Sequence, residues 1–237
     1  MHTLTTRLGS FAIGLATAVV ILAVAIPLFL NPWWVGFEQG RAQAAAWTGY
    51  SDTVLRQVTD SVLADLVIGP PDFDVAVDGV PVLDERERAH MRDVRTVFAG
   101  FFALAIILAI VGGVVAWRRR RSAALRRASW EAVLGGAVGL IAALVIGGII
   151  ALVAFDTLFE VFHQLLFPGG SYDFDPSTEK LVQLFPFAFW QESAIAVGVV
   201  AIVIAVVVAL VAYRRSTAAA TAEADDGRMD GIGAPVT

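Results

Sequence analysis

The chain has 237 residues, of which 57% are hydrophobic and 16% are charged, and its formal net charge is −5. This apolar balance excludes an ordinary soluble domain and is typical of a membrane protein, while the negative charge argues against a nucleic-acid partner. Because the chain has no cysteine, it offers no disulfide, no thiol nucleophile and no thiolate metal site.

Four apolar stretches are long enough to cross about 30 Å of hydrocarbon as helices. None of them contains Asp, Glu, Lys, Arg or His. This argues against an ion-coupled transporter, since such proteins usually keep ionisable groups at membrane depth. The predicted spans are Phe11 to Leu30, Val97 to Trp117, Ala132 to Phe155 and Ala194 to Tyr213.

Arginine clusters set the predicted orientation of these spans. Short Arg-rich segments stay in the cytoplasm, and such segments follow the second and fourth stretches, at residues 118–127 and 214–215. We therefore expect a multi-pass protein of a bacterial cytoplasmic membrane, with both termini inside and residues 31–96 and 156–193 outside. Residues 1–215 would form a single integral membrane domain, and the acidic, Ala-rich residues 216–237 would be a disordered cytoplasmic tail.

Residues 31–96 predict a small cap. Apolar residues at spacings of three and four predict an amphipathic helix from Trp47 to Leu66, and alternation around Asp78-Gly79 predicts a β-hairpin. Asp84 and Glu87 have the spacing of a capping box for a helix that runs into the second span. The predicted fold class is an all-α membrane protein, a four-transmembrane-helix bundle with a small extracytoplasmic helix-plus-hairpin cap.

Two histidines are the candidate catalytic residues. His90 and His163 would lie on the same side of the membrane, about 10 and 12 Å above their spans if both helices continue. Asp93 and Glu160 lie three residues from them, on the same helix faces. Because an imidazole titrates near pH 6.5 and a carboxylate can fix its tautomer, this pattern predicts general acid–base chemistry with all four residues in the catalytic set.

Two other interpretations stay open from the residues alone. Histidines at a membrane surface need no chemistry, which would leave a non-catalytic membrane scaffold or sensor. Two histidines and two carboxylates could also ligate zinc or iron in a metal-dependent membrane hydrolase, although their spacing matches no established metal motif. The chain has no Gly-x-Ser-x-Gly motif and no phosphate-binding glycine loop, which favours chemistry whose nucleophile belongs to the substrate.

The chain resembles the Lit family of bacterial lipoprotein intramolecular transacylases in the order and topology of several short motifs. These motifs are Glu87-x-x-His90-Met91-x-Asp93-Val94, Phe162-His163-x-x-x-Phe167, Tyr172-Asp173-Phe174-Asp175-Pro176 and Leu184-Phe185-Pro186. The resemblance implies that His90 and His163 are the two catalytic histidines. Further motif residues are expected to bind substrate: Glu87, Met91, Phe167, Tyr172 and Asp175.

The activity implied by this resemblance is an acyl transfer within one substrate. The sn-2 acyl chain of a diacylglyceryl lipoprotein would move to the amine of its N-terminal cysteine, leaving a lyso-form lipoprotein. Membrane lipids and diacylglyceryl lipoproteins would be the partners, and no cofactor or metal is expected. One histidine would act as base and the other as acid or oxyanion donor, with Asp93 orienting His90.

Overall fold

A computed structural model of the protein describes residues 2–167 and 169–232, with side chains described outside residues 2–4 and 222–232. A single 3-10 turn over Ile26–Leu28 follows the first helix. Along this part of the chain the elements are α1 (His2–Ala25), α2 (Pro32–Arg41), α3 (Ala44–Thr48), α4 (Asp52–Val67), β1 (Ala76–Val77), β2 (Val80–Pro81), α5 (Glu85–Arg119), α6 (Ala123–Leu166), α7 (Lys180–Leu184) and α8 (Phe187–Ile232).

Four helices in the described chain are long and apolar enough to cross a membrane, and each overlaps one of the four predicted stretches. They are α1 with the turn that follows it, α5, α6 and α8. The predicted all-α membrane fold is therefore confirmed. In the first stretch the α-helix ends before the predicted Leu30. Pro27 has no backbone N–H to continue it, and the chain forms the 3-10 turn instead.

The chain divides into two compact units, and the first comprises residues 1–24, 103–145 and 200–237. Within it, α1 and α6 approach so closely that a Cβ on Gly136 would collide with the backbone carbonyl of Gly14. The buried guanidinium of Arg119 donates to the Thr6 carbonyl (2.8 Å) and to the Ser10 hydroxyl (3.1 Å). Small residues and one satisfied arginine thus hold α1 against its neighbours in this unit.

The second unit comprises residues 25–102 and 146–199, and it has its own hydrophobic core. The predicted hairpin is confirmed, since Val77 pairs with Val80 and both Asp78 and Gly79 have positive φ, at 52° and 77°. The core beneath it is made by α2, α4, α7, the start of α5 and the residues around the hairpin. Its largest fully buried apolar side chains are those of Val58, Val62, Phe73, Leu83 and Leu184.

Two predicted helices are interrupted in the structure. The helix expected from Trp47 to Leu66 is divided at Gly49, which has φ 73°, and α4 begins only after the Ser51 cap. In α6 the backbone at Ala154 is non-helical, with φ −147° and ψ 41°. The Gln191 side chain donates to the nearby Ala151 carbonyl (3.4 Å), an external hydrogen bond of the kind that accompanies a break in a helix.

The last helix extends into residues 216–237, the segment predicted to be a disordered tail. Helix α8 continues through this segment as far as Ile232. Alanine has the highest helix propensity, and an existing helix removes the nucleation penalty, so the Ala-rich start of the segment extends α8. Residues 233–237 lie outside the described part of the chain.

Candidate active site

The first turn of α5 is fixed by a reciprocal pair of hydrogen bonds. The Asp84 N–H donates to the Glu87 carboxylate (2.7 Å), and the Glu87 N–H donates to the Asp84 carboxylate (2.8 Å). This is the capping box expected from the sequence. It sets the start of α5, so that His90 comes three residues after Glu87 on the same helix face.

Glu87 also ties α5 to α7. Its carboxylate is buried, and its second oxygen accepts the Leu181 N–H at 2.6 Å. Met91 is buried in the hydrophobic core of the same unit. The observed contacts of Glu87 and Met91 position the start of α5 within the protein. Their role in substrate binding stays a prediction.

The structure brings the two predicted histidines together. The rings of His90 and His163 stack at 6.0 Å between centroids with an interplanar angle of 24°. Both residues are buried, with 6% and 8% of their surface exposed. They belong to polar turns that lie beyond the apolar stretches of α5 and α6. The pair is therefore shielded from solvent, and a charge on one imidazole would interact strongly with the other.

Aromatic side chains enclose the pair. Phe167 contacts both imidazoles, at 4.8 Å from His90 and 5.6 Å from His163 between ring centroids. Phe174 lies 5.4 Å from the His90 ring, and Tyr172 lies 5.0 Å from the His163 ring. The predicted residues Phe167 and Tyr172 are thus at the site, and the rings around it lower the local polarity.

The tautomer of His163 is fixed by a backbone group and not by the predicted carboxylate. Its Nδ1 lies 2.7 Å from the Phe159 carbonyl oxygen, which can only accept, so Nδ1 carries the proton and Nε2 has a free lone pair. Glu160 instead accepts hydrogen bonds from Tyr172 (2.9 Å) and Gln164 (2.8 Å). The predicted contact between Glu160 and His163 is therefore replaced by a contact through Tyr172, whose ring packs against the imidazole.

His90 has no such partner. Its Nδ1 is buried and makes no hydrogen bond with any described residue. Asp93 therefore does not make the predicted hydrogen bond to this nitrogen, and the Asp93 side chain is exposed. A buried ring nitrogen without a hydrogen-bond partner destabilises the fold unless a ligand or water bonds to it. This atom is therefore available to a bound substrate.

Burial controls the protonation of both rings. It lowers the pKa of His90 to about 4, helped by the neighbouring His163 and opposed by the charge of Asp93. Burial also lowers the pKa of His163, against the opposing effects of the Phe159 carbonyl and of Glu160. Both imidazoles are consequently neutral at pH 7, the form that can accept a proton from a substrate.

Comparison with known proteins assigns the chain to a family. The model of the family described as "Lipoprotein intramolecular transacylase Lit" matches residues 10–190. The chain belongs to this family. Two solved structures of the Bacillus cereus Lit transacylase share its fold: one has a TM-score of 0.71 and 19% identity over 95% of this chain and 98% of that one. A histidine-to-alanine variant of the same protein has a TM-score of 0.65 and 17% identity, covering 91% and 96%.

A protein of Aquifex aeolicus (strain VF5) is also similar. It is named only as uncharacterized, and it is 25% identical to this chain over 124 residues. The match spans 52% of each chain, so this chain covers about half the length of that relative.

Several groups that shape the histidine site carry no strong signal in the sequence. The Phe159 carbonyl is a backbone group, although its position four residues before His163 is the helical spacing that allows the contact. Arg86 stacks its guanidinium on the Phe174 ring (4.8 Å), donates to the Asp173 carbonyl (2.9 Å) and pairs with Glu179. These contacts hold the segment that carries Tyr172 and Phe174 against the histidines.

Asp175 is the predicted site residue that lies apart from the histidines. Its carboxylate accepts the N–H and the hydroxyl of Ser177 (2.8 and 2.6 Å), which is a local turn. Its contacts therefore shape the loop rather than reach the imidazoles. Among the residues whose side chains are described, no three of the types His, Cys, Asp and Glu converge in a group that could hold a metal ion.

Proposed function

We propose that this chain moves the sn-2 acyl chain of a diacylglyceryl lipoprotein to the amine of its N-terminal cysteine. The stacked, buried histidine pair is the observation that carries the proposal, together with the membership of the Lit family. The products would be a lyso-form lipoprotein with an N-acylated cysteine. The site would lie on the outer face of a bacterial cytoplasmic membrane, with both termini inside, because the Arg-rich segments flank the opposite ends of the spans.

His163 is the general base in this proposal. Its Nδ1–H is engaged by the Phe159 carbonyl, which leaves Nε2 free to accept a proton. Burial keeps the ring neutral at physiological pH by lowering its pKa. As the amine attacks the ester carbonyl and the C–N bond forms, Nε2 takes the proton that the nitrogen must lose.

His90 stabilises the other end of the reaction. A neutral imidazole carries one N–H, and the Nδ1 of His90 makes no hydrogen bond with any described residue. Its N–H donates to the carbonyl oxygen as negative charge develops there. When the ester C–O bond breaks, the glycerol oxygen leaves and takes up the proton that the amine gave to His163.

The chemistry needs no nucleophile from the protein. The amine and the ester belong to one substrate molecule, so binding them in register converts the reaction into a unimolecular one. Such positioning alone can supply about 7–11 kcal/mol of the barrier when the geometry is good. The absence of cysteine from the chain and the enclosure of the histidines by aromatic rings suit this mechanism.

Mass spectrometry of a reporter lipoprotein tests the proposal. Cells that lack other N-acylating activity would express the native chain, His90→Gln, His163→Gln or, as the matched control, His2→Gln. We expect an N-acyl, S-monoacylglyceryl cysteine with the native chain and the control, and unmodified diacylglyceryl cysteine with the other two variants. Full transfer by either site variant, at equal amounts of protein in the membrane, would overturn the two-histidine mechanism.

A further inference from the structure

A pocket of about 320 Å³ adjoins the histidine pair. Asp93, Thr96 and Val97 of α5 form one wall, and Leu166, Phe167, Gly169 and Ser171 form the other. Phe167 is common to the pocket and the catalytic pair, because its ring contacts both imidazoles. Neither histidine lines the pocket itself, and Phe167 is the residue through which the pocket adjoins them.

The lining of the pocket suits an amphiphile with a positive group. Val97 begins the uninterrupted apolar stretch of α5, so this wall leads toward the region that acyl chains occupy. Thr96 and Ser171 contribute hydroxyls, and Asp93 contributes the one carboxylate among the lining residues. No lysine or arginine lines the pocket to neutralise that charge.

Asp93 differs from the other carboxylates at this end of α5. Glu85 pairs with Arg88 and Arg92, and Glu87 accepts backbone amides. Asp93 makes no hydrogen bond or ion pair with any residue that the structure describes, and its side chain is exposed. The nearby guanidinium of Arg95 donates instead to the carbonyls of Asp65 and Gly69 at the end of α4. An unpaired carboxylate remains beside the active site.

We propose that Asp93 binds the free α-ammonium group of the N-terminal cysteine of the substrate. This inference rests on the proposed function and names the part of the substrate that the pocket recognises. The ammonium first pairs with the carboxylate and releases one proton to water, which leaves the neutral amine. As the amine attacks the ester carbonyl and the C–N bond forms, one of its remaining protons passes to the free Nε2 of His163. The C–O bond then breaks, and the glycerol oxygen receives that proton from His163.

The binding test uses substrate analogues that cannot react. Two peptides with S-diacylglyceryl cysteine are made with ether-linked chains, one with a free amine and one N-acetylated, and their affinities for the chain in lipid nanodiscs are measured. We expect the native chain to prefer the free amine about 10-fold, as for one charge-assisted hydrogen bond. In Asp93→Asn this preference falls to about 1, while Asp93→Glu retains part of it and Asp60→Asn, an exposed control on α4, leaves it unchanged.

Two results would overturn the inference: a native chain that binds both analogues equally, or an Asp93→Asn variant that keeps the native preference. An effect of the Asp93 charge on His90 alone would shift the pH profile of transfer without altering this preference. Failure of the proposed function has a separate signature. In that case ester-linked diacylglyceryl peptide stays unmodified by the native chain, whichever way the ether-linked analogues bind.

Discussion

Replacing Glu87 by alanine should destabilise the protein by about 2–4 kcal/mol. The variant loses the side-chain half of the capping box at Asp84, worth about 1 kcal/mol. It also leaves the buried Leu181 N–H without its acceptor, which costs about 1–3 kcal/mol. The two contributions act on the same fold but on different backbone amides, so we add them.

Thermal unfolding in detergent measures this effect, and Glu85→Ala provides the control. Glu85 is in the same turn of α5, but its side chain is 68% exposed and its ion pairs with Arg88 and Arg92 are at the surface. Such pairs contribute about 0–1 kcal/mol each. For a chain of this size we expect Glu87→Ala to lower Tm by about 5–15 °C, well beyond the shift of Glu85→Ala.

Equal Tm values for the two variants would refute the reasoning. They would mean that the buried carboxylate contributes no more than an exposed one, and that α5 and α7 are held together by apolar packing alone. Glu87→Gln separates the two contributions further. Its amide oxygen can still accept the Leu181 N–H, but its NH₂ group cannot accept the Asp84 N–H, so its loss of Tm should be intermediate.

Three other predictions follow from particular contacts. Burial and the neighbouring Glu192 carboxyl raise the pKa of Glu38 to about 7, so the folded state binds a proton that the unfolded state releases above its usual value near 4.5. The free energy of unfolding should therefore fall as pH rises from about 4.5 through 7. Thermal unfolding should show that Glu38→Gln is more stable than the native chain by about 1–2 kcal/mol at pH 8 but not at pH 4.5. Gly136→Leu should lower Tm by clashing with the backbone of α1, whereas Gly139→Leu, where a Cβ meets nothing within 4 Å, should not. Because burial lowers the pKa of both histidines, the fall in the initial rate of transfer on acidification should begin at a lower pH than it would for an unperturbed histidine near 6.5.

Local signals in the sequence predicted the parts of the fold that local physics determines. The Asp78-Gly79 turn needs two residues that tolerate positive φ, and the capping box needs Asp84 and Glu87 three residues apart, so both could be found from spacing. That His90 and His163 lie on the same side and at a similar height was predictable, because span lengths and Arg-rich segments fix which helix ends share a side. The contact between their rings was not. Turn residues, capping residues and charge distribution along the chain are all readable from a single sequence.

The details of the site depended on packing that spacing does not record. A carboxylate three residues from a histidine suggests an ion pair. In the structure, however, the Phe159 carbonyl accepts the hydrogen bond from His163, and Glu160 accepts one from Tyr172. The break in α6 at Ala154 could not be predicted, because no proline marks it in the sequence. The position of Asp93 in a pocket, away from hydrogen-bonding contact with His90, likewise depends on how the loop after α6 folds.

The most direct test of the central claim is a crossover measurement. Two diacylglyceryl lipopeptides of different peptide mass, one with isotope-labelled acyl chains, are mixed in nanodiscs with the native chain and the products are analysed by mass spectrometry. Transfer within one substrate at the histidine pair predicts that every N-acylated peptide keeps its own label. Products in which labelled chains appear on the unlabelled peptide would contradict the account, because they require an acyl group that leaves one molecule before it reaches another.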